Sequence, residues 1–99
     1  MSRRMLVVGN WKMNGLKAQL DDVAAIGAVA AEHPAVEVGL CVPATLITAA
    51  ADKAGAAFIG AQDCHQKANG AHTGCLSAAM LKEAGAARVI VGHSERRTD

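Results

Sequence analysis

Asn10 and Lys12 stand two residues apart just past the apolar run MLVV (5–8). Gln62 and Asp63 follow a later apolar run, and His93, Ser94 and Glu95 follow the last one. An amide, an ammonium and an imidazole are hydrogen-bond donors suited to an oxygen that gains negative charge, as when an enolate or enediolate forms. None of them is a strong base toward carbon, so the set could quiet an anion but not create one. Taken singly, each has a plainer reading. His93 reads as a surface histidine at a strand end, Lys12 as a solvated lysine and Asn10 as a turn residue. Cys64 beside His65, and Cys75 three residues after His72, sit in one loop without a C-x-x-C pair, so no metal is expected.

For those donors to act together, the elements before them must end on one side of the molecule. Four apolar runs, at 5–8, 36–42, 56–61 and 88–92, read as strands. Three lack clean polar alternation, which suits strands covered on both faces in a parallel sheet. Between the first two, Leu16, Leu20, Val23, Gly27 and Ala30 recur at helical spacing and Pro34 follows. Pro43 suits a first helical turn; Leu46, Ile47, Ala50 and Ala54 then share a face, and Gly55 is placed to close that helix. Ser77 is an N-cap for a third helix carrying Met80, Leu81 and Ala84, with Gly85 after it. The order β-α-β-α-β-α-β predicts a parallel α/β unit whose loops after the strand ends carry the site. The long piece QDCHQKANGAHTGCL (62–76) falls on that side, and irregular loops of this length are usually functional.

Composition narrows the class. Ninety-nine residues suit one domain over 1–99, and 22 alanines against one Trp and one Phe favour small helices packed on a sheet. A formal charge of +1 gives no electrostatic reason to bind nucleic acid or an anionic membrane. Cys41, Cys64 and Cys75 form an odd set, pointing to reduced thiols in an intracellular protein, with Cys41 an inert buried thiol in its strand. The apolar run near the N-terminus is too short for a signal-peptide core or a membrane span, and the expectation is a soluble cytoplasmic chain.

Three segments together carry a resemblance: GNWKMNG (9–15), GAQDCHQKANGAHTG (60–74) and VIVGHSERR (89–97). They are similar, in register, to the triosephosphate isomerase family. That resemblance implies an eight-stranded β/α barrel of about 250 residues, of which four strands would be the N-terminal half. It implies interconversion of dihydroxyacetone phosphate and D-glyceraldehyde 3-phosphate in glycolysis and gluconeogenesis, with a phosphorylated triose as substrate and no metal or organic cofactor. His93 would be the electrophilic catalytic histidine, Lys12 the catalytic and substrate-binding lysine, and Asn10 the asparagine beside the substrate oxygens. In this family a helix N-terminus keeps the histidine neutral, and SERR (94–97), with Ser94 and Glu95 in support, corresponds to that helix. Glu95 would also hold Lys12 in place. The family's glutamate base, lid and late phosphate loops have no counterpart in these 99 residues, so the isolated chain is expected to be inactive.

The resemblance further implies a homodimer, with Met13, Thr73 and Arg96 matching interface positions. Cys75 departs from the family, which usually has glutamate there as the partner of the arginine at position 96, and this weakens the inference of an ordinary dimer. A competing reading is a noncatalytic half-barrel that assembles with a complementary half or a copy of itself through its open edge strands. A dinucleotide-binding domain fits poorly, because GNWKMNG lacks the G-x-G-x-x-G phosphate cradle.

Overall fold

The computed structural model describes residues 5–90. Four parallel strands form one sheet in the order β1 (Met5–Asn10), β2 (Val36–Val42), β3 (Phe58–Ala61) and β4 (Arg88–Val89). Helices α1 (Leu20–Glu32), α2 (Ile47–Lys53) and α3 (Ala78–Ala84) make the crossovers. The expected alternation of strand and helix is therefore observed through β4, and the last part of the expected fourth strand lies outside the described residues.

Register explains how the sheet divides its residues between two faces. Val8 lies opposite Gly39, and Asn10 opposite Cys41. Gly39 lies in turn opposite Phe58, and Cys41 opposite Gly60. Side chains alternate along a strand, so these residues share one face and their neighbours share the other. On the other face Leu40, Val42, Ile59 and Ala61 pack with Leu20, Val23, Ile47, Ala50 and Leu81 into a single buried core. Helices this rich in alanine and glycine can also approach one another closely. Gly27 shows how closely: a Cβ there would sit 2.0 Å from the Ala54 carbonyl oxygen, so only glycine lets α1 meet the end of α2.

The helix stripes follow the sequence pattern with two corrections. Leu20, Val23, Gly27 and Ala30 are the buried residues of α1, but Leu16 is 74% exposed. A 3₁₀ turn at Lys17–Gln19 intervenes, and the Gln19 side-chain oxygen accepts the Leu16 N–H at 2.6 Å, holding Leu16 extended outside the helix. In α3, Ser77 Oγ accepts the Met80 N–H at 3.3 Å and Gly85 ends the helix at φ 119°, as expected of an N-cap and a left-handed C-cap. Met80 itself is exposed, because Leu81 takes the buried side of this two-turn helix and Met80 lies about 100° away around it.

Strand limits also shift. β1 runs two residues beyond its apolar stretch, so Asn10 is a strand residue rather than a loop residue. β3 begins at Phe58, because Gly55 at φ 56° reverses the chain and the Ala57 N–H returns to the Ala54 carbonyl at 2.9 Å. Pro43 stands one residue before a 3₁₀ turn at Ala44–Leu46 that leads into α2.

Candidate functional site

The C-terminal ends of β1, β2 and β3 meet at one cluster. Asn10 closes β1 with its side chain on the face that the helices do not cover, and its Oδ1 accepts the Lys12 backbone N–H at 2.8 Å. Lys12 has φ 56°, the one positive φ at a non-glycine residue among the described residues. That conformation costs an L-residue about 1–2 kcal/mol. Gln62, the next residue of β3's parity after Gly60, reaches back across the sheet. Its Nε2 donates to the Lys12 carbonyl at 2.8 Å, to the Cys41 carbonyl at 3.2 Å and to Asn10 Oδ1 at 3.3 Å. A hydrogen bond contributes about 1 kcal/mol net, so the two side chains gripping the Lys12 peptide are of the size needed to offset its backbone cost.

The chemistry of these contacts fixes the orientation of both amides. All three atoms facing Gln62 Nε2 are acceptors, so the nitrogen and not the oxygen of that amide points at them. Asn10 Oδ1 receives two donors, Lys12 N–H and Gln62 Nε2, which leaves its own NH₂ turned away from the cluster. The Cys41 carbonyl also accepts the Trp11 N–H at 3.0 Å, carrying the sheet ladder one residue past β1. Lys12 thus leaves the strand end on a turn fixed at both peptide groups, with its side chain on the exposed rim.

Behind this rim, burial raises the Cys41 thiol above its ordinary value of 9.0, which keeps it a neutral, poorly nucleophilic group. Cys41, Cys64 and Cys75 are all free thiols. Among the described residues no three His, Cys, Asp or Glu side chains converge as metal ligands. The long loop is tied down at its base by a parallel bridge between His65 and Ser77, with the His65 N–H on the Leu76 carbonyl at 2.8 Å. Inside it the His65 and His72 rings stack with centroids 4.0 Å apart. His65 Nδ1 accepts the Lys67 N–H at 3.0 Å, so that ring serves the loop's own folding.

Two cavities flank the cluster without containing Asn10 or Lys12. One of about 420 Å³ lies between Gln62, Thr73, Cys75 and the core side chains Ile47 and Leu81. The other, about 740 Å³, is an open trough along Trp11, Leu16, Gln19 and Ile26. Met13 is 95% exposed, and Thr73 and Cys75 are exposed on the loop. His93, Ser94, Glu95 and Arg96 lie outside the described residues. Of the residues singled out in the sequence, Asn10, Lys12 and Gln62 stand together. The bridging role of Gln62 was not read from the sequence, although the parity Phe58, Gly60, Gln62 already put it on Asn10's face.

Comparison with known proteins identifies the family of the fold. The family model for triosephosphate isomerase matches residues 5–99. Triosephosphate isomerases of Afipia carboxidovorans and Dinoroseobacter shibae are 59% and 58% identical, over 97% and 98% of this chain respectively. The crystal structure of the Bartonella henselae triosephosphate isomerase superposes with a TM-score of 0.89 at 47% identity, over 97% of this chain. The chain spans about 40% of the length of these proteins. The four parallel strands with their helices are a half-barrel of that architecture, and the chain belongs to the triosephosphate isomerase family.

Proposed function

We propose that a protein carrying this chain interconverts dihydroxyacetone phosphate and D-glyceraldehyde 3-phosphate, and that these 99 residues supply its anion-stabilising half. The observation that carries the reading is the rim cluster, in which Lys12 is held in a left-handed turn by Asn10 and Gln62. A proton leaves one substrate carbon and returns to its neighbour, and between the two steps an enediolate bears charge on two oxygens. Lys12 supplies a fixed positive charge near the phosphate and the developing oxyanion. Asn10 orients and hydrogen-bonds the substrate oxygens, and His93 donates from a neutral imidazole with Ser94 and Glu95 in support. Such donors are effective because they are already oriented when charge develops. The protein works in the cytoplasm as a homodimer, with Met13, Thr73 and Arg96 at the contact between subunits.

None of these residues is a base for carbon, so the chain alone does not turn over. General acid–base catalysis contributes about 10²- to 10⁴-fold, and the loss of substrate enclosure removes more. The test is a coupled isomerase assay on three samples: the chain alone, the chain mixed with the remaining C-terminal part of a close relative's barrel, and the same mixture with His93→Gln. Turnover is expected in the second sample only. Clear turnover by the chain alone would refute its inactivity, and a stable but inactive mixed complex would favour the second reading, a noncatalytic assembly module. That second reading has its own observation, the exposure of Met5, Leu6, Val7 and Val8 along the whole apolar part of β1.

A further inference from the structure

We infer that Gln62 is a positioning residue for Lys12, setting the left-handed backbone from which the lysine side chain departs. For its consequence in catalysis this rests on the proposed isomerase reading; the clamp itself does not. Three observations lead to it. Lys12 holds φ 56° without being glycine, asparagine or aspartate, the residues that adopt this region with least strain. Both peptide groups of Lys12 are engaged by side chains, the N–H by Asn10 and the carbonyl by Gln62. Gln62 lies 50 residues away in sequence, on another strand, so its grip is tertiary and would not exist in the isolated loop.

The donor pattern says why a glutamine is needed. Its amide nitrogen faces three oxygens: the Lys12 and Cys41 carbonyls and Asn10 Oδ1. Glutamate would turn an acceptor toward three acceptors, and methionine would keep the length but offer nothing to any of them. The Cys41 carbonyl keeps the Trp11 N–H and Asn10 Oδ1 keeps the Lys12 N–H, so removal of the glutamine donor falls on the Lys12 peptide first. Lys12 would then relax toward ordinary backbone angles and carry its ammonium off the rim. A buried core residue whose loss merely loosened the sheet would not act so locally.

The experiment is heteronuclear NMR on the 99-residue chain. In the unaltered chain a scalar coupling across the hydrogen bond between Gln62 Nε2 and the Lys12 carbonyl carbon is expected. In Gln62→Met the Lys12 Cα and Hα shifts leave left-handed values, and as the relaxing turn draws the Lys12 N–H away from Asn10 Oδ1 its amide exchanges about tenfold faster, the scale of one hydrogen bond, while Val42, Ile47 and Leu81 signals stay in place. The inference is overturned if Lys12 keeps its shifts and exchange rate in Gln62→Met. Should that variant not fold, the unaltered chain decides: no coupling, with the Gln62 side-chain amide exchanging like a free one, overturns it as well. In the complemented barrel, Gln62→Met should lower kcat/KM about tenfold through both a higher KM and a lower kcat, as expected when a group serving phosphate and developing oxyanion alike is misplaced. Absence of turnover in the unaltered complemented barrel would count against the isomerase reading and leave the NMR result to judge the clamp.

Discussion

The two faces of the four-stranded sheet solve opposite problems with the same strands. On the helix side, Leu40, Val42, Ile59 and Ala61 are all at most 6% exposed, covered by α1, α2 and α3. On the other side, Leu6 and Val8 stand 48% and 41% exposed, and below the rim the face carries Gly39, Cys41 and Gly60. Over β2 and β3 the helix side is a packed core, whereas Met5 and Val7 of β1, on the same face, stay 68% and 49% exposed. The opposite side holds polar groups that satisfy one another at the rim, beside apolar surface that the described residues leave open. Stability and chemistry are therefore separated by the pleat: a change of parity moves a residue from one task to the other.

Truncation of a large side chain on each face breaks the comparison most directly. Ile47 is 1% exposed beneath the sheet, so Ile47→Ala removes fully buried methyl groups and should cost about 3–4 kcal/mol, seen as a large fall in the urea midpoint. Val8→Ala on the open face should cost under about 1 kcal/mol, since much of that side chain already meets water. The same Val8→Ala change should become several times more costly once a complementary half-barrel covers the face. Equal costs for Ile47 and Val8 in the chain alone would mean that the open face is already covered in solution.

Residue spacing in the sequence reveals the core side well and the rim only partly. The recurrence of Leu20, Val23, Gly27 and Ala30 is a consequence of helical geometry, and all four are buried. Ser77 and Gly85 announce both ends of α3 because capping depends on local chemistry. Leu16 misleads, since an apolar residue in phase with a helix can still precede a 3₁₀ turn. The left-handed Lys12 leaves no trace in composition, because its conformation is imposed by Gln62 from another strand. The family resemblance names Asn10 and Lys12 and offers Glu95 to hold the lysine, but it does not give the backbone clamp, because only the register of β1, β2 and β3 brings Gln62 to them.

The open face also carries its charges differently from the core. Glu37 on β2 pairs with Arg88 on β4, and the Arg88 guanidinium lies 5.1 Å from the centre of the Phe58 ring. The Phe58 ring on β3, the strand between the two charges, covers Gly39, where a Cβ would come within 2.1 Å of the ring, so β2 must be bare at that position. With the Arg88 and Glu37 side chains 49% and 31% exposed, water screens the pair strongly. Glu37→Gln and Arg88→Met should each cost under about 1 kcal/mol, with a coupling in the double-mutant cycle that shrinks further in about 1 M salt. A coupling well above that, insensitive to salt, would show that this face is dry in solution and would blur the contrast with the core.

The smallest effect is expected where the two faces meet, at Cys41. Its side chain belongs to the open face by parity, yet Cys41 is 2% exposed, and burial raises its thiol above 9.0 in the folded chain. In the unfolded chain the thiol ionises at its ordinary value, so above that pH the unfolded state binds fewer protons than the folded one. Stability is therefore unaffected by this group below about pH 9 and falls as pH climbs from there through the raised folded value. Cys41→Ala removes that slope while lowering the baseline through lost packing. The stability difference between the parent chain and Cys41→Ala, measured by urea unfolding, should accordingly be constant from neutral pH to about 9 and narrow above it. A difference that stays constant above pH 9 would mean the thiol is solvated in the folded state, and that the open face admits water beyond the rim to the level of β2.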